Sequence, residues 1–141
     1  FDGANPNHPF SLISPHKIMH KKKLYRTASH LYHAYMFMKT RSELVEQMRD
    51  LEDPRATKYL ALRHDSTKRS DWEQVWLEKM DETMYAKFTQ HADLREELLR
   101  TGDVLLVNSD SSDGVWGVGN NGLGMNHLGK SLMRVRDRIV R

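Results

Sequence analysis

The stretch WEQVWLEKMDETMYAKF, residues 72–88, sets Trp72, Trp76, Met80, Met84 and Phe88 four residues apart, a spacing that stacks them along one side of a long helix. Val75 lies beside this stripe, and Ser70 or Asp71 is placed to cap the helix start. Aromatic and thioether groups remove much apolar area from water, so the stripe reads as core packing and not as a cofactor box. Towards the C-terminus, a helix over Ala92 to Arg100 ends at Gly102, a residue suited to a left-handed cap, and Val104-Leu105-Leu106-Val107 reads as a buried strand. Six of the eight glycines then fall between Gly114 and Gly129, ahead of a closing helix with Leu128, Leu132, Val135 and Ile139 on one face.

Towards the N-terminus, Asp53-Pro54 starts a helix carrying Ala56, Tyr59, Leu60 and Arg63, and Ser42 is the expected cap of one carrying Leu44, Val45, Met48 and Leu51. The run SHLYHAYMFMK from Ser29 to Lys39 is apolar on more than one face, which predicts a buried, central helix. Lys22 to Arg26 suits a short strand, while Asp2 to Pro15 holds three of the four prolines, Gly3 and two asparagines and reads as irregular. The expected fold is mainly α with a small β component. Residues 1–15 form its irregular N-terminal segment and residues 16–141 its single domain.

At 141 residues and 16.5 kDa the chain fits one domain, and 38% hydrophobic against 29% charged residues is enough to build a core. No apolar run approaches the ~20 residues of a bilayer span, and no stretch has a signal-peptide layout. With no cysteine, disulfides, thiolate nucleophiles and cysteine-ligated metal sites are excluded. Phe1 in first place points to a processed chain or a segment of a longer one. The expected setting is intracellular, in the cytoplasm.

The formal charge of +3 does not make nucleic acid the default partner, but its distribution is uneven. Lys17, Lys21, Lys22, Lys23 and Arg26 stand without an acidic neighbour, and Lys130, Arg134, Arg136, Arg138 and Arg141 crowd the C-terminus around Asp137. Brought together, the two segments would make a face for phosphates; apart, they are solvated surface.

Two phosphate-loop patterns are present in letters only. Gly124 to Ser131 satisfies the Walker spacing and Gly117 to Gly122 the dinucleotide one, yet neither directly follows a strand. What survives is weaker: amides at the start of the last helix, with Lys130 adjacent, suit an anion. His30 and His33 are one helical turn apart, but no HExxH motif accompanies them and no metal site is expected. No Ser–His–Asp set is legible, and no cofactor is expected.

The order of several segments carries a resemblance. Phe10-Ser11-Leu12-Ile13-Ser14-Pro15, Tyr25-Arg26-Thr27-Ala28-Ser29-His30, Trp72 to Met80, Lys87-Phe88-Thr89-Gln90 and Leu99-Arg100-Thr101-Gly102-Asp103 precede Asp113 to Gly119 and Gly124-Met125-Asn126-His127-Leu128-Gly129. Together with Leu106-Val107 and Leu132 to Arg136, this order resembles the YbiA-like NADAR domains from about Phe10 to the end of the chain. The resemblance implies a mostly helical single domain and N-glycosidase chemistry on ribosyl nucleotides, including riboflavin-pathway intermediates and ADP-ribose joined to guanine. Cleaving such a bond builds oxocarbenium character at the ribose, which calls for a carboxylate and, in one covalent route, an amine nucleophile.

Members of that family typically read Ser-Glu-His where this chain has Ala28-Ser29-His30, and Lys-Phe where it has Met36-Phe37. They tend to have asparagine at Leu12 and glutamate at Asn108, so four polar positions have changed together. A serine hydroxyl carries no charge at neutral pH, and a thioether neither forms a Schiff base nor takes up a proton. Trp72, Trp116, Gly117, Gly119, Asn126 and Gly129 all match. The expected site therefore comprises the degenerate positions Ser29 and Met36 with Asp113, and, as ligand-binding residues, Leu12, Arg26, His30, Trp72, Asn108, Trp116, Gly117, Gly119, Asn126, Gly129 and Lys130.

The first expectation is a catalytically degenerate NADAR-like domain that binds an ADP-ribose-like nucleotide or a protein partner, within a larger polypeptide or assembly. The alternative is a working N-glycosidase with a rearranged site in which Asp113 stabilises the cation and Trp116 stacks on the base. A nucleic-acid binder using Lys17 to Arg26 ranks last, because Tyr25 is the one aromatic residue interleaved there.

Overall fold

In chain order, the elements are an antiparallel hairpin of β1 (Ile18–His20) and β2 (Lys23–Tyr25), then helices α1 (Ala28–Tyr35), α2 (Ser42–Asp50), α3 (Thr57–Arg63), α4 (Trp72–Gln90), α5 (Ala92–Arg100) and α6 (His127–Val140). Short 3-10 turns over Pro54–Ala56 and Asp65–Thr67 flank α3. This computed structural model describes residues 1–140, so Arg141, counted above with the basic C-terminal cluster, lies outside the described residues.

α4 is the axis, with α1, α5, α6 and β1 all packed on it. Met80, Met84 and Phe88 are fully buried, as their spacing requires, but Trp72 and Trp76 at the N-terminal end of the same stripe are only partly covered. Phe10 meets Phe88 edge-on at 5.5 Å and draws the irregular N-terminal segment onto the core. The Phe1 ammonium donates to Val107 O at 3.0 Å, and Ser109 N donates to Phe1 O at 2.7 Å. The hairpin is clamped to the far end of α4 by Gln90, whose side-chain amide bonds both Met19 N and Met19 O at 2.8 Å, in the manner of a third strand.

Three local expectations are corrected. The central helix stops at Tyr35 and not Lys39: Met36 O accepts from Arg69 N, and Phe37 O closes a turn by accepting from Thr40 N and Arg41 N. Arg41 and not Ser42 caps α2, without a side-chain bond. Val104 to Val107 is not a strand: Val104, Leu105 and Val107 are 61%, 72% and 38% exposed, and only Leu106 turns inward. Its carbonyls are taken by other partners than a neighbouring strand, namely Val104 O by Arg136, Leu106 O by Asn126 and Val107 O by the N-terminal ammonium. Gly102 does adopt the left-handed conformation, at φ 59°, just beyond α5.

Candidate functional site

Ser29 lies in the first turn of α1, and its amide donates to Leu12 O at 2.9 Å. Its hydroxyl lies 2.7 Å from Thr57 Oγ1 at the start of α3, and Thr57 in turn donates to Pro54 O at 2.9 Å. Because Thr57 spends its one proton on a carbonyl, Ser29 must be the donor between the two hydroxyls. His33, one turn on from Ser29, has Nδ1 2.9 Å from Ser29 O and 3.0 Å from Thr57 Oγ1. A carbonyl only accepts, so Nδ1 carries the proton and the Nε2 lone pair is the ring's remaining polar group. Burial holds the His33 pKa down to about 4, which keeps the ring neutral. A protonated Nδ1 cannot take a proton from Ser29, so these residues form an anchoring network and not a nucleophile–base pair.

Ser29 and His33 of this network line a cleft of about 500 Å³ between the α1–α3 corner and the glycine-rich loop, with Thr57 buried behind them. Arg55 and Lys58 stand on one wall, Asp110 and Asp113 on the other, with Tyr59 and Trp116 as aromatic surfaces. Each aspartate is already employed: Asp113 Oδ1 accepts from Val115 N and Trp116 N at 2.9 Å, and Asp110 Oδ1 accepts from Ser112 N at 2.9 Å. Asn108 Oδ1 accepts from Gly3 N at 2.7 Å and its Nδ2 donates to Trp116 O at 3.1 Å, which ties the N-terminal segment to the cleft wall.

Met36 does not enter this cleft. It lines an adjoining groove with Tyr32, Trp72 and Trp76, and the two depressions share His33, Lys58, Val115 and Trp116. Trp116 packs edge-on against Tyr32 at 5.4 Å and Trp76 at 5.5 Å.

Leu12, Ser29, Asn108, Asp113 and Trp116 thus share one cleft, and Met36 and Trp72 border its extension. The other expected ligand-binding residues lie elsewhere. His30 is fully buried, with Nδ1 2.8 Å from Thr27 Oγ1 and Nε2 2.8 Å from Leu51 O, so both nitrogens serve the core. Arg26 donates to Leu51 O and lines a second depression, which shares Ile13, Pro54 and Arg55 with the cleft. Lys130 is exposed on α6 and lines neither the cleft nor the groove.

Gly117, Gly119, Asn126 and Gly129 shape the wall from behind. A Cβ at Gly117 would sit 2.9 Å from Asp110 O, and one at Gly129 would strike Leu106 O. Asn126, at φ 53°, bridges Asn108 N and Leu106 O with its side chain. The glycines therefore allow two backbone segments to touch, and no strand precedes them to make a phosphate loop. Sequence reading missed Thr57, Lys58, Tyr59, Asp110 and Gly3; only His33, four residues from Ser29 on the same helical face, left a readable sign.

Among the described residues no group of three or more His, Cys, Asp or Glu side chains is placed to hold a metal ion, and no helix is long and apolar enough to cross a membrane. The two basic segments are separated: the hairpin packs on α1 and α4, whereas α6 packs on α4 and α5, with Arg134 bonded to Asp81 at 2.8 Å.

Comparison with known proteins adds three findings. The NADAR domain model matches residues 1–140. The chain is 38% identical over 131 residues to the N-glycosidase Npun_R5314 of Nostoc punctiforme, covering 92% of this chain and 84% of that one, and 32% identical over 118 residues to the N-glycosidase YbiA of Escherichia coli, covering 84% and 72%. The NMR structure of the E. coli protein YbiA superposes with a TM-score of 0.86 at 29% identity, over 99% of this chain and 82% of that one.

Proposed function

The chain belongs to the NADAR domain family, and from that membership we propose that it is a ribosyl-nucleotide-binding member, with ADP-ribose as the model ligand, in which N-glycosidase chemistry has lapsed. The observation that carries this reading is the direction of the Ser29 hydroxyl. At the position where the family resemblance expects a carboxylate, the side chain is neutral and spends its proton on Thr57 at 2.7 Å. Neither a negative charge nor an activated oxygen faces a developing oxocarbenium ion from there. Met36, at the expected amine position, lies in the adjoining groove and offers only a thioether.

Binding outlives this loss on physical grounds. A cleft of about 500 Å³ is in the range of small-molecule sites. Arg55 and Lys58 suit phosphates, Tyr59 and Trp116 give a base something to stack on, and the Ser29 hydroxyl oxygen and His33 Nε2 offer acceptors to ribose hydroxyls.

One feature favours the second reading, a working N-glycosidase with a rearranged site: Asp110, Asp113 and Lys58 line the same cleft. The deciding experiment assays release of base from a panel of ribosyl nucleotides and ADP-ribosylated guanine, using the native chain beside Ser29→Glu/Met36→Lys, while ADP-ribose binding to both is followed by calorimetry. Turnover by the double variant alone, with ADP-ribose bound by both, is expected. Native turnover abolished by Asp113→Ala establishes the second reading, and failure of the native chain to bind ADP-ribose at millimolar concentration removes the first.

A further inference from the structure

On another face, the β1–β2 hairpin, α1, α2 and α4 enclose a cavity of about 380 Å³ that shares no lining residue with the cleft or its adjoining groove. We infer that this cavity is a second ligand site, for a compact phosphate-bearing anion held by the hairpin lysines and the start of α2.

Lys21, Lys23, Lys39, Arg69 and Lys79 line the cavity wall against one carboxylate, Glu82. Three of these cations are paired: Lys23 with Glu46 at 3.1 Å, Arg69 with Asp71 at 2.6 Å and Lys79 with Glu82 at 3.2 Å. Among the described residues, neither Lys21 nor Lys39 has a carboxylate within ion-pair distance. The cavity thus keeps a positive surplus after its ion pairs are counted, in a concave setting that strengthens attraction for an anion.

Hydrogen-bond donors point the same way. The Tyr35 and Ser42 hydroxyls reach the cavity wall, Tyr35 bonded to Glu82 there and Ser42 at the first position of α2 with no side-chain cap before it. His20 also lines the cavity; its Nδ1 is 3.5 Å from Tyr35 Oη, and its Nε2 is buried with no hydrogen-bond partner. A buried polar atom left unpaired is uncommon; burial and the neighbouring Lys21 favour the neutral ring, and an anionic oxygen would give an acceptor to its Nε2–H tautomer.

The hairpin tip is an independent observation. Pairing of His20 with Lys23 leaves Lys21-Lys22 as a two-residue turn, and both residues are left-handed, at φ 48° and 67°. Such turns favour Asn-Gly, so two lysines here forgo stability for charge, and one of them, Lys21, lines the cavity. A device that trades fold stability for charge is expected where the charge has a use.

The test is a titration of the isotope-labelled native chain with sodium pyrophosphate, read by amide chemical shifts, beside sodium chloride at matched ionic strength. Saturable shifts confined to His20, Lys21, Tyr35, Ser42 and Lys79 are expected, with Ser29 and Asn108 unmoved. Lys39→Gln should weaken binding about fivefold. Lys21→Asn/Lys22→Gly should raise the melting temperature and still weaken binding. The inference is overturned by the absence of saturation at about 10 mM pyrophosphate, by shifts spread equally over the Arg134 and Arg138 surface, or by unchanged binding in the hairpin variant.

Discussion

The Lys87 ammonium sits 2.7 Å from the Ser14 hydroxyl in a fully buried position, and it also donates to Ser11 O at 2.7 Å. No carboxylate takes part in either bond, so burial alone pushes its pKa down to about 7. The amine staples the segment that delivers Leu12 and Ile13 to the cleft and Leu12 O to Ser29.

A pH dependence of stability follows from that burial. An unfolded lysine titrates near about 10.4, so between about 7 and about 10.4 the unfolded chain binds more protons and stability rises with pH. Below about 7 the folded protein carries the buried charge at full cost. Urea unfolding at about pH 7 and about pH 9.5 should show this rise in the native chain and its loss in Lys87→Met. Equal slopes in both proteins would show that Lys87 is not the responsible group.

The acid limb has a different origin. His33 is held down to about 4 by burial, and His30 is shifted the same way for the same reason, against an unfolded value near about 6.5. Unfolded imidazoles take up protons first, so their contribution to stability is complete above about 6.5 and is lost as pH falls towards about 4. In an NMR titration the His33 ring resonances should stay constant down to about pH 5. A midpoint near the ordinary histidine value would contradict the Ser29–Thr57–His33 network and the tautomer assigned from it.

Much of the fold was legible because periodicity reports burial, and the four-residue stripe of α4 marks the axis on which the other elements pack. The segment Val104 to Val107 shows where that signal fails. Four consecutive apolar residues satisfy the pattern of a buried strand, but the pattern cannot reveal that no strand is available to pair with them. In the site, Ser29, Asn108 and Trp116 were legible through segment order, whereas Lys58 and Asp110 reach the cleft, and Thr57 reaches Ser29 behind it, through tertiary packing that leaves no local mark.

The same segment yields a paired prediction. Leu105 is 72% exposed and Leu106 7%, so Leu105→Ser should change stability by no more than about 0.5 kcal/mol. Leu106→Ala removes buried methyl groups beside the Asn126 bridge and should cost about 2–3 kcal/mol. Comparable losses from the two substitutions, measured by chemical denaturation, would mean that Leu105 is buried as a strand residue would be.

All three tryptophans of the chain gather at the cleft and its extension, which makes intrinsic fluorescence a site-specific reporter. Trp116 alone lines both depressions, while Trp72 and Trp76 line only the groove. Its backbone is fixed from two sides, since its amide donates to Asp113 Oδ1 at 2.9 Å and its carbonyl accepts from Asn108 Nδ2 at 3.1 Å. A base that stacks in the cleft must therefore meet a ring whose position is already set, and little ordering cost accompanies the contact. ADP-ribose should quench the emission saturably, and Trp116→Phe should remove most of that response while Trp72→Phe retains it. Pyrophosphate, directed to the hairpin cavity, should leave the emission unchanged because no tryptophan lines that cavity. Quenching by pyrophosphate equal to that by ADP-ribose would mean that the two anions compete for one site, and the separation of cleft from hairpin cavity would fail.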